Sequence, residues 1–295
     1  MYHVLHVLRH GSTLAKREGF VVCKGADGVE QSLPFADIRA VVIAARGVTI
    51  SSNFLGAILE GDGIVLHCNE RYQPCGVSAP LARIVDRNAC LAQAARPGKL
   101  NARIWNAMLR RKIENQIIVL KRLGISSPRL EQALARGPLH EGNCARTYWR
   151  LFFPRLGSNA FRARSSETNC GINHRLNYGY AVLSALCHRS LLAHGLSPLF
   201  GVQHTTRYRT HPLVYDVMEP FRQFVDRMLA ECPVRPGAEG MKEWCKHVGA
   251  ALRECRVHHP RYAIKLMDAI DATCKSLADC YAARSVSPLW LPAMA

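Results

Sequence analysis

Four ionisable residues in two short segments have the types that phosphodiester chemistry uses. Glu141 lies in LHEGNCARTYWRLFFP, while His204, Asp216 and Glu219 lie in GVQHTTRYRTHPLVYDVMEPFR. Two or three carboxylates and one imidazole make a mixed oxygen and nitrogen donor set suited to Mg²⁺ or Mn²⁺. They sit amid an excess of arginine, as a polyanionic substrate requires. The combination points to a metal-dependent enzyme acting on nucleic acid. Each residue alone has an ordinary alternative. Glu141 fits a surface acid complementing a helix start, His204 a hydrogen-bonded or surface histidine, and Asp216 with Glu219 a solvated helix face.

The elements that must position these residues are legible in outline. Pro212 suits the first turn of a helix, on which Asp216 and Glu219 at i and i+3 share a face. Pro220 then removes a donor and predicts a kink just beyond Glu219. Glu141 belongs to a separate helix, with Arg146 and Arg150 following at helical spacing.

Residues 1–85 are β-rich. VLHVL, FVVCK, AVVIAA, GVTIS and IVLHC are short, β-branched runs separated by Gly, Asp, Asn or Pro. One helix interrupts them at SSNFLGAILEGDG, with Ser51 or Ser52 as N-cap and Gly61 near the C-cap. A small sandwich or folded sheet is expected. Residues 86–100 are expected as a linker, and 101–295 as a helical, catalytic and DNA-binding domain. In that domain ARIWNAMLRRKIENQIIVLKRLG places Ile104, Met108, Ile113, Ile117, Ile118 and Leu120 near one stripe, with Arg110, Arg111, Lys112, Lys121 and Arg122 mostly elsewhere. Further helices are predicted over GNCARTYWRLFF, NHRLNYGYAVLSALCHRSLLAHG, LVYDVMEPFRQFVDRMLAE, GMKEWCKHVGAALREC and YAIKLMDAIDATCKSLADCYAAR. The fold class is α+β, a small β-rich domain followed by a larger all-α one.

The net charge of +17 agrees with a polyanionic partner. It is also lopsided. Residues 1–85 hold 8 Lys/Arg against 7 Asp/Glu, so nearly all the excess lies in the helical part that carries the candidate site. The 12 cysteines are scattered with no CxxC pair, which favours free thiols in a reducing compartment over a disulfide framework or a zinc site. No stretch approaches the roughly 18 apolar residues of a membrane span, and MYHVLHVLRHGS lacks the form of a signal peptide. A cytoplasmic protein with no membrane partner is expected. No P-loop or GxGxxG is present, which leaves nucleotide hydrolysis without support.

At these residues the chain resembles a known family, the CRISPR adaptation integrase, CRISPR-associated protein one. IRAVVIAARGVTISSNFLGAILEGDGIVLHCNERYQPCGVSAPL resembles its β-domain. EGNCARTYW resembles its glutamate motif, LNYGYAVLSAL the helix before its second motif, and GLSPLFGVQH with YDVMEPFRQFVD its histidine and acidic motifs. NERYQPCGVSAPL and MEPFR are most similar to members from type II systems.

The resemblance implies Glu141, His204 and Glu219 as catalytic metal ligands, with Asp216 as a further ligand or as support behind them. It implies insertion of short double-stranded DNA fragments into CRISPR repeat DNA by 3′-hydroxyl transesterification. A homodimer is implied, working with the small CRISPR-associated protein two. Its interface is expected on residues 1–85, since like-charged helical domains repel. Arg146, Arg150, Arg162, Arg164 and Arg175 are the candidate phosphate contacts. Two other functions fit the same residues: a stand-alone nuclease for branched DNA in repair, and a non-enzymatic DNA-binding protein whose acids are structural.

Overall fold

The computed structural model describes residues 3–81, 87–95, 97–157, 171–205, 210–232, 235, 237–258 and 263–294. The strand-rich part runs β1 (His3–Val7), β2 (Thr13–Arg17), β3 (Phe20–Lys24), β4 (Glu30–Pro34), β5 (Ile38–Ile43), β6 (Thr49–Ile50), helix α1 (Ser52–Glu60), β7 (Ile64–Cys68) and β8 (Pro74–Ser78). It forms two four-stranded sheets, of order β1-β5-β7-β8 and β4-β3-β2-β6. The first is parallel across β1, β5 and β7, with β8 antiparallel at its edge. Ser51 caps α1 by accepting from Phe54 N, and Gly61 closes it. β2 and β4 are not among the runs read as strands in the sequence. TLAKR and EQSLP lack β-branched alternation, and β2 and β4 exist because apolar β3 pairs with both of them.

The alternation of side chains along β5 and β7 makes one sheet serve two cores. Val41, Ile43 and Val65 turn toward Leu14, Val21 and Phe54 of the second sheet and α1. Ala40, Val42, Ile64 and Leu66 turn the other way and join the core of the helical part. The break in sequence pattern near residue 85 therefore does not separate two independent cores.

The helical part comprises α2 (Arg87–Ala94), α3 (Gly98–Arg122), α4 (Pro128–Arg136), α5 (Glu141–Phe152), α6 (Gly171–Ala193), α7 (Pro212–Met218), α8 (Arg222–Glu231), α9 (Gly237–Glu254) and α10 (Leu266–Ala283). Three details differ from the sequence expectation, the first being α4, which no predicted helix covers. Part of the expected linker is helix α2. Its Gln93 donates to the Ser197 and Phe200 carbonyls at 2.9 and 3.0 Å and accepts from Ser197 N, pinning the loop that leads to His204. A short antiparallel hairpin, β9 (Arg256–His258) with β10 (Ala263–Lys265), also lies between α9 and α10. Its three-residue strands are too short to break the helical pattern in the sequence.

α6 is the hub, touching α7, α8, α9, α10, β5 and β7. Gly179 lets it approach α8, because a Cβ there would lie 2.4 Å from Val225 Cγ1. Overpacking a core by one methyl costs about 1–3 kcal/mol, whereas Gly to Ala in a helix gains about 1 kcal/mol. Gly179→Ala should therefore lower the urea midpoint, and a raised midpoint would show that α6 and α8 have room to spare. No helix among the described residues is long and apolar enough to cross a membrane.

Candidate active site

The second segment is built around an interrupted helix. Pro212 opens α7, which ends at Met218, and Glu219 follows before α8 begins at Arg222. The kink predicted beyond Glu219 is thus a full break. Its shape is fixed by buried Asn115 of α3, which donates to the Pro220 carbonyl at 2.9 Å and the Pro292 carbonyl at 3.1 Å. The same amide accepts from Met294 N at 3.0 Å.

Asp216 is fully buried and both its oxygens are engaged. Oδ2 accepts from Val202 N and Gln203 N at 2.6 and 3.1 Å, and Oδ1 accepts from His204 N at 3.2 Å. Oδ1 also lies 2.6 Å from His204 Nδ1. This places Asp216 behind His204 as its orienting partner, with Nδ1 committed and Nε2 left over. Gly201 is required beside it, since a Cβ would fall 2.3 Å from His204 O and 3.0 Å from Asp216 Oδ2. The Trp105 ring meets His204 edge-on at 5.8 Å.

Glu141 is the first residue of α5, and Glu219 reaches the same place from the α7–α8 break. Between them stands Lys112 of α3, with Nζ 2.8 Å from Glu141 Oε1 and 2.6 Å from Glu219 Oε2. On the other side Arg222 Nε donates to Glu219 Oε1 at 2.9 Å, and its guanidinium stacks 4.7 Å from the Tyr180 ring. Asp226 braces this wall by accepting from Tyr180 and Tyr148 hydroxyls at 2.5 and 2.9 Å. Burial alone would raise the Glu219 carboxyl, but Arg222 and Lys112 more than reverse it and hold it at about 2. Burial likewise works to lower Lys112, and the two carboxylates outweigh it and raise it. The His204 imidazole is raised, chiefly by the Asp216 hydrogen bond, against burial.

Glu141, His204 and Glu219 with Lys112, Gln116, Arg222 and Gln223 line one open cavity of about 510 Å³. Oxygen and nitrogen donors of this kind suit a hard divalent cation. Glu219 Oε2 is buried and accepts no hydrogen bond of good geometry, although Lys112 is in ion-pair contact with it. Among the described residues, however, no three His, Cys, Asp or Glu side chains converge closely enough to hold an ion as they stand. The ammonium of Lys112 takes the space between the two glutamates.

The model of the family described as CRISPR associated protein Cas1 matches residues 5–137 and 138–234. The chain belongs to that family. A curated relative, CRISPR-associated endonuclease Cas1 2 of Pyrobaculum aerophilum, is 28% identical over 242 residues, covering 76% of this chain and 81% of the relative. Among solved structures, a casposase bound to integration product superposes with a TM-score of 0.81 at 17% identity, over 98% of this chain and 94% of that one. A chain of a Cas6-RT-Cas1–Cas2 complex gives 0.78 at 14% identity, over 98% of this chain and 36% of that one. At these identities the structures show the shared α+β fold.

In this member of the Cas1 family the expected arginines divide. Arg146 and Arg150, with Arg129, line a second cavity of about 490 Å³ between α4 and α5, away from the carboxylates. Arg175 is a correction. It is buried, donates to the Arg235 carbonyl, and its own carbonyl accepts from Trp244 Nε1 at 2.8 Å, so it ties α6 to α9 rather than facing a ligand. Arg162 and Arg164 lie outside the described residues.

Sequence reasoning missed Lys112, Asn115, Gln116 and Arg222. A signal was present. Ile104, Met108, Lys112, Asn115 and Val119 follow one helical stripe, and all five are buried. Polar residues in an apolar stripe mark a site or a buried network.

Because Asp216 raises His204, the protonated ring contributes stability that is complete below its unfolded value, near 6.5, and is lost as pH climbs through the higher folded value. In metal-free buffer Asp216→Asn should move the His204 NMR titration to lower pH and flatten this loss. An unmoved titration would mean that Asp216 does not orient the ring.

Proposed function

We propose that this protein is a metal-dependent DNA integrase and endonuclease that inserts short DNA fragments into a CRISPR array. The observation that carries the reading is the meeting of Glu141, His204 and Glu219, from the start of α5, a loop and the α7–α8 break, at one open cavity beside Lys112 and Arg222. The family membership and the names of its relatives support nucleic acid as the substrate class. Glu141, His204 and Glu219 would hold Mg²⁺ or Mn²⁺, with Asp216 orienting His204 from behind. When bound, the ion supplies Lewis-acid polarisation of the scissile phosphate and lowers the pKa of the attacking hydroxyl.

The chain's own groups do the rest. Arg222, locked by Tyr180 and Glu219, fixes the carboxylate against rotation. Displacement at phosphorus needs mainly positioning and charge stabilisation, which the cations around the cavity provide. A 3′-hydroxyl as nucleophile joins strands, and water in the same place cuts them. Arg146, Arg150 and Arg129 offer a phosphate track leading away from the site.

Joining both ends of a fragment requires two sites, so the working unit is a homodimer assembled with CRISPR-associated protein two. The strand-rich part is the favoured interface. It is near neutral, and Phe20 and Val29 are exposed on it. The two-sided packing of β5 and β7 makes deletion of residues 1–85 an unsuitable test, since it would uncover the helical core. Surface changes such as Phe20→Lys are the suitable ones.

Glu219→Gln and His204→Ala should each lower strand joining by more than the about 10–100-fold that loss of an orienting partner costs, while Asp216→Ala should stay within that range. A gel assay of fragment joining into a supercoiled repeat plasmid reads this out. Joining near the wild-type rate by Glu219→Gln would remove the proposal. Cutting without joining, in the presence of the small partner, would favour the repair nuclease. Arg146→Ala and Arg150→Ala should each reduce the slope of log affinity against log salt by about one. Unchanged slopes would place the DNA elsewhere.

A further inference from the structure

We infer that Lys112 is a positioning residue with two stations. One is the bridge between Glu141 and Glu219, and the other is the pair of carbonyl oxygens of Gln116 and Gln223, which it takes when a divalent ion claims the carboxylates. The inference rests on the metal-dependent reading above and adds a residue that sets how tightly the ion is held.

The first station occupies one oxygen of each glutamate that an ion would claim. Lys112 Nζ is 2.8 Å from Glu141 Oε1 and 2.6 Å from Glu219 Oε2. A Mg²⁺ ion needs oxygens at about 2.0–2.1 Å, so an ion taking those same two oxygens would compete with the ammonium for them at close, repulsive range. The remaining oxygen of Glu219 is already held by Arg222 at 2.9 Å. Of the two cations Arg222 is the less free to leave, because it is stacked on Tyr180, whose hydroxyl is fastened to Asp226. Lys112 is a point charge on a flexible stem, and it is the one that yields.

The second station is an unexplained feature of the same cavity. Gln116 and Gln223 are 2% and 1% exposed, both line the cavity, and the carbonyl oxygen of each has no hydrogen-bond donor among the described residues. Buried acceptors without donors are rare and unfavourable, and each calls for a physical account. Gln116 lies one helical turn beyond Lys112 on the same face of α3, within reach of a rotamer change of the lysine. An ammonium displaced from the glutamates therefore finds two waiting acceptors without leaving the cavity. In the metal-free protein the same lysine keeps buried Glu219 and half-buried Glu141 from facing each other unpaired.

Mn²⁺ binding to the purified full-length protein, followed by electron paramagnetic resonance, tests the inference. Lys112→Met should bind Mn²⁺ about tenfold or more tightly than wild type, within the range by which residues behind a ligand shell tune affinity. Gln116→Leu should weaken binding in the wild-type background and have no effect in the Lys112→Met background, a coupling that general damage would not produce. Wild-type or weaker affinity in folded Lys112→Met overturns the inference, as does a Gln116→Leu effect equal in both backgrounds. Either result leaves the metal reading standing if Glu219→Gln has lost Mn²⁺. Absence of Mn²⁺ binding in the wild type overturns both. Should Lys112→Met fail to fold, the wild type decides. Crystals of the wild type soaked in Mn²⁺ should show the Lys112 ammonium moved from the glutamates to within hydrogen-bond distance of the Gln116 and Gln223 carbonyl oxygens. A lysine still bridging the glutamates with Mn²⁺ bound overturns the inference.

Discussion

A buried carboxylate facing a second, half-buried one needs cations between them, and the site depends on that constraint. Glu219 is almost completely enclosed, and its charge persists because Lys112 and Arg222 contact its two oxygens from opposite sides. Removing one member of such a cluster strands a charge in a low-dielectric setting, whereas the complete set is nearly balanced. The fold must therefore deliver α3, α5 and the α7–α8 break to one place with little latitude. The ionic cluster and the local geometry around it are two sides of one requirement.

The surrounding structure meets that requirement by fixing irregular backbone with buried polar side chains. Asn115 ties the carbonyl after Glu219 to the C-terminal segment, and Asp216 gathers three backbone N–H groups with the His204 ring. Gln93 holds the preceding loop through both its amide atoms. Each device replaces hydrogen bonds that a regular helix would have made for itself, which is how a broken helix stays defined. The parallel sheet contributes at one remove. Its helix-facing side chains support α6, and α6 supports α7 and α8.

Much of this was legible in the sequence. The β-branched runs and the stripe of α3 gave the α+β class, and Pro212 and Pro220 gave the start and the break of the helix bearing Glu219. What stayed hidden had physical causes. β2 and β4 are held by their partner β3 rather than by their own composition, so their segments carry no alternation. Lys112 was assigned to a polar face because a lysine in an amphipathic pattern is normally solvated, yet two glutamates distant in sequence make its burial favourable. Arg175 was expected to face DNA because arginine in a basic chain usually faces outward. Its actual partner, the carbonyl of Arg235, is set by the packing of α6 on α9 and leaves no trace in local sequence. The division of labour among Glu141, His204, Asp216 and Glu219 likewise depends on which oxygens are already taken, a three-dimensional property.

The central claim is that Glu141, His204 and Glu219 form one divalent-cation site around which DNA strands are joined. Anomalous diffraction from crystals grown in Mn²⁺ tests it most directly. The account predicts a peak bounded by those three side chains, with Asp216 one residue removed from the ion behind His204. A peak located elsewhere in the molecule, or none at saturating Mn²⁺ in a protein that still joins DNA strands, would contradict it.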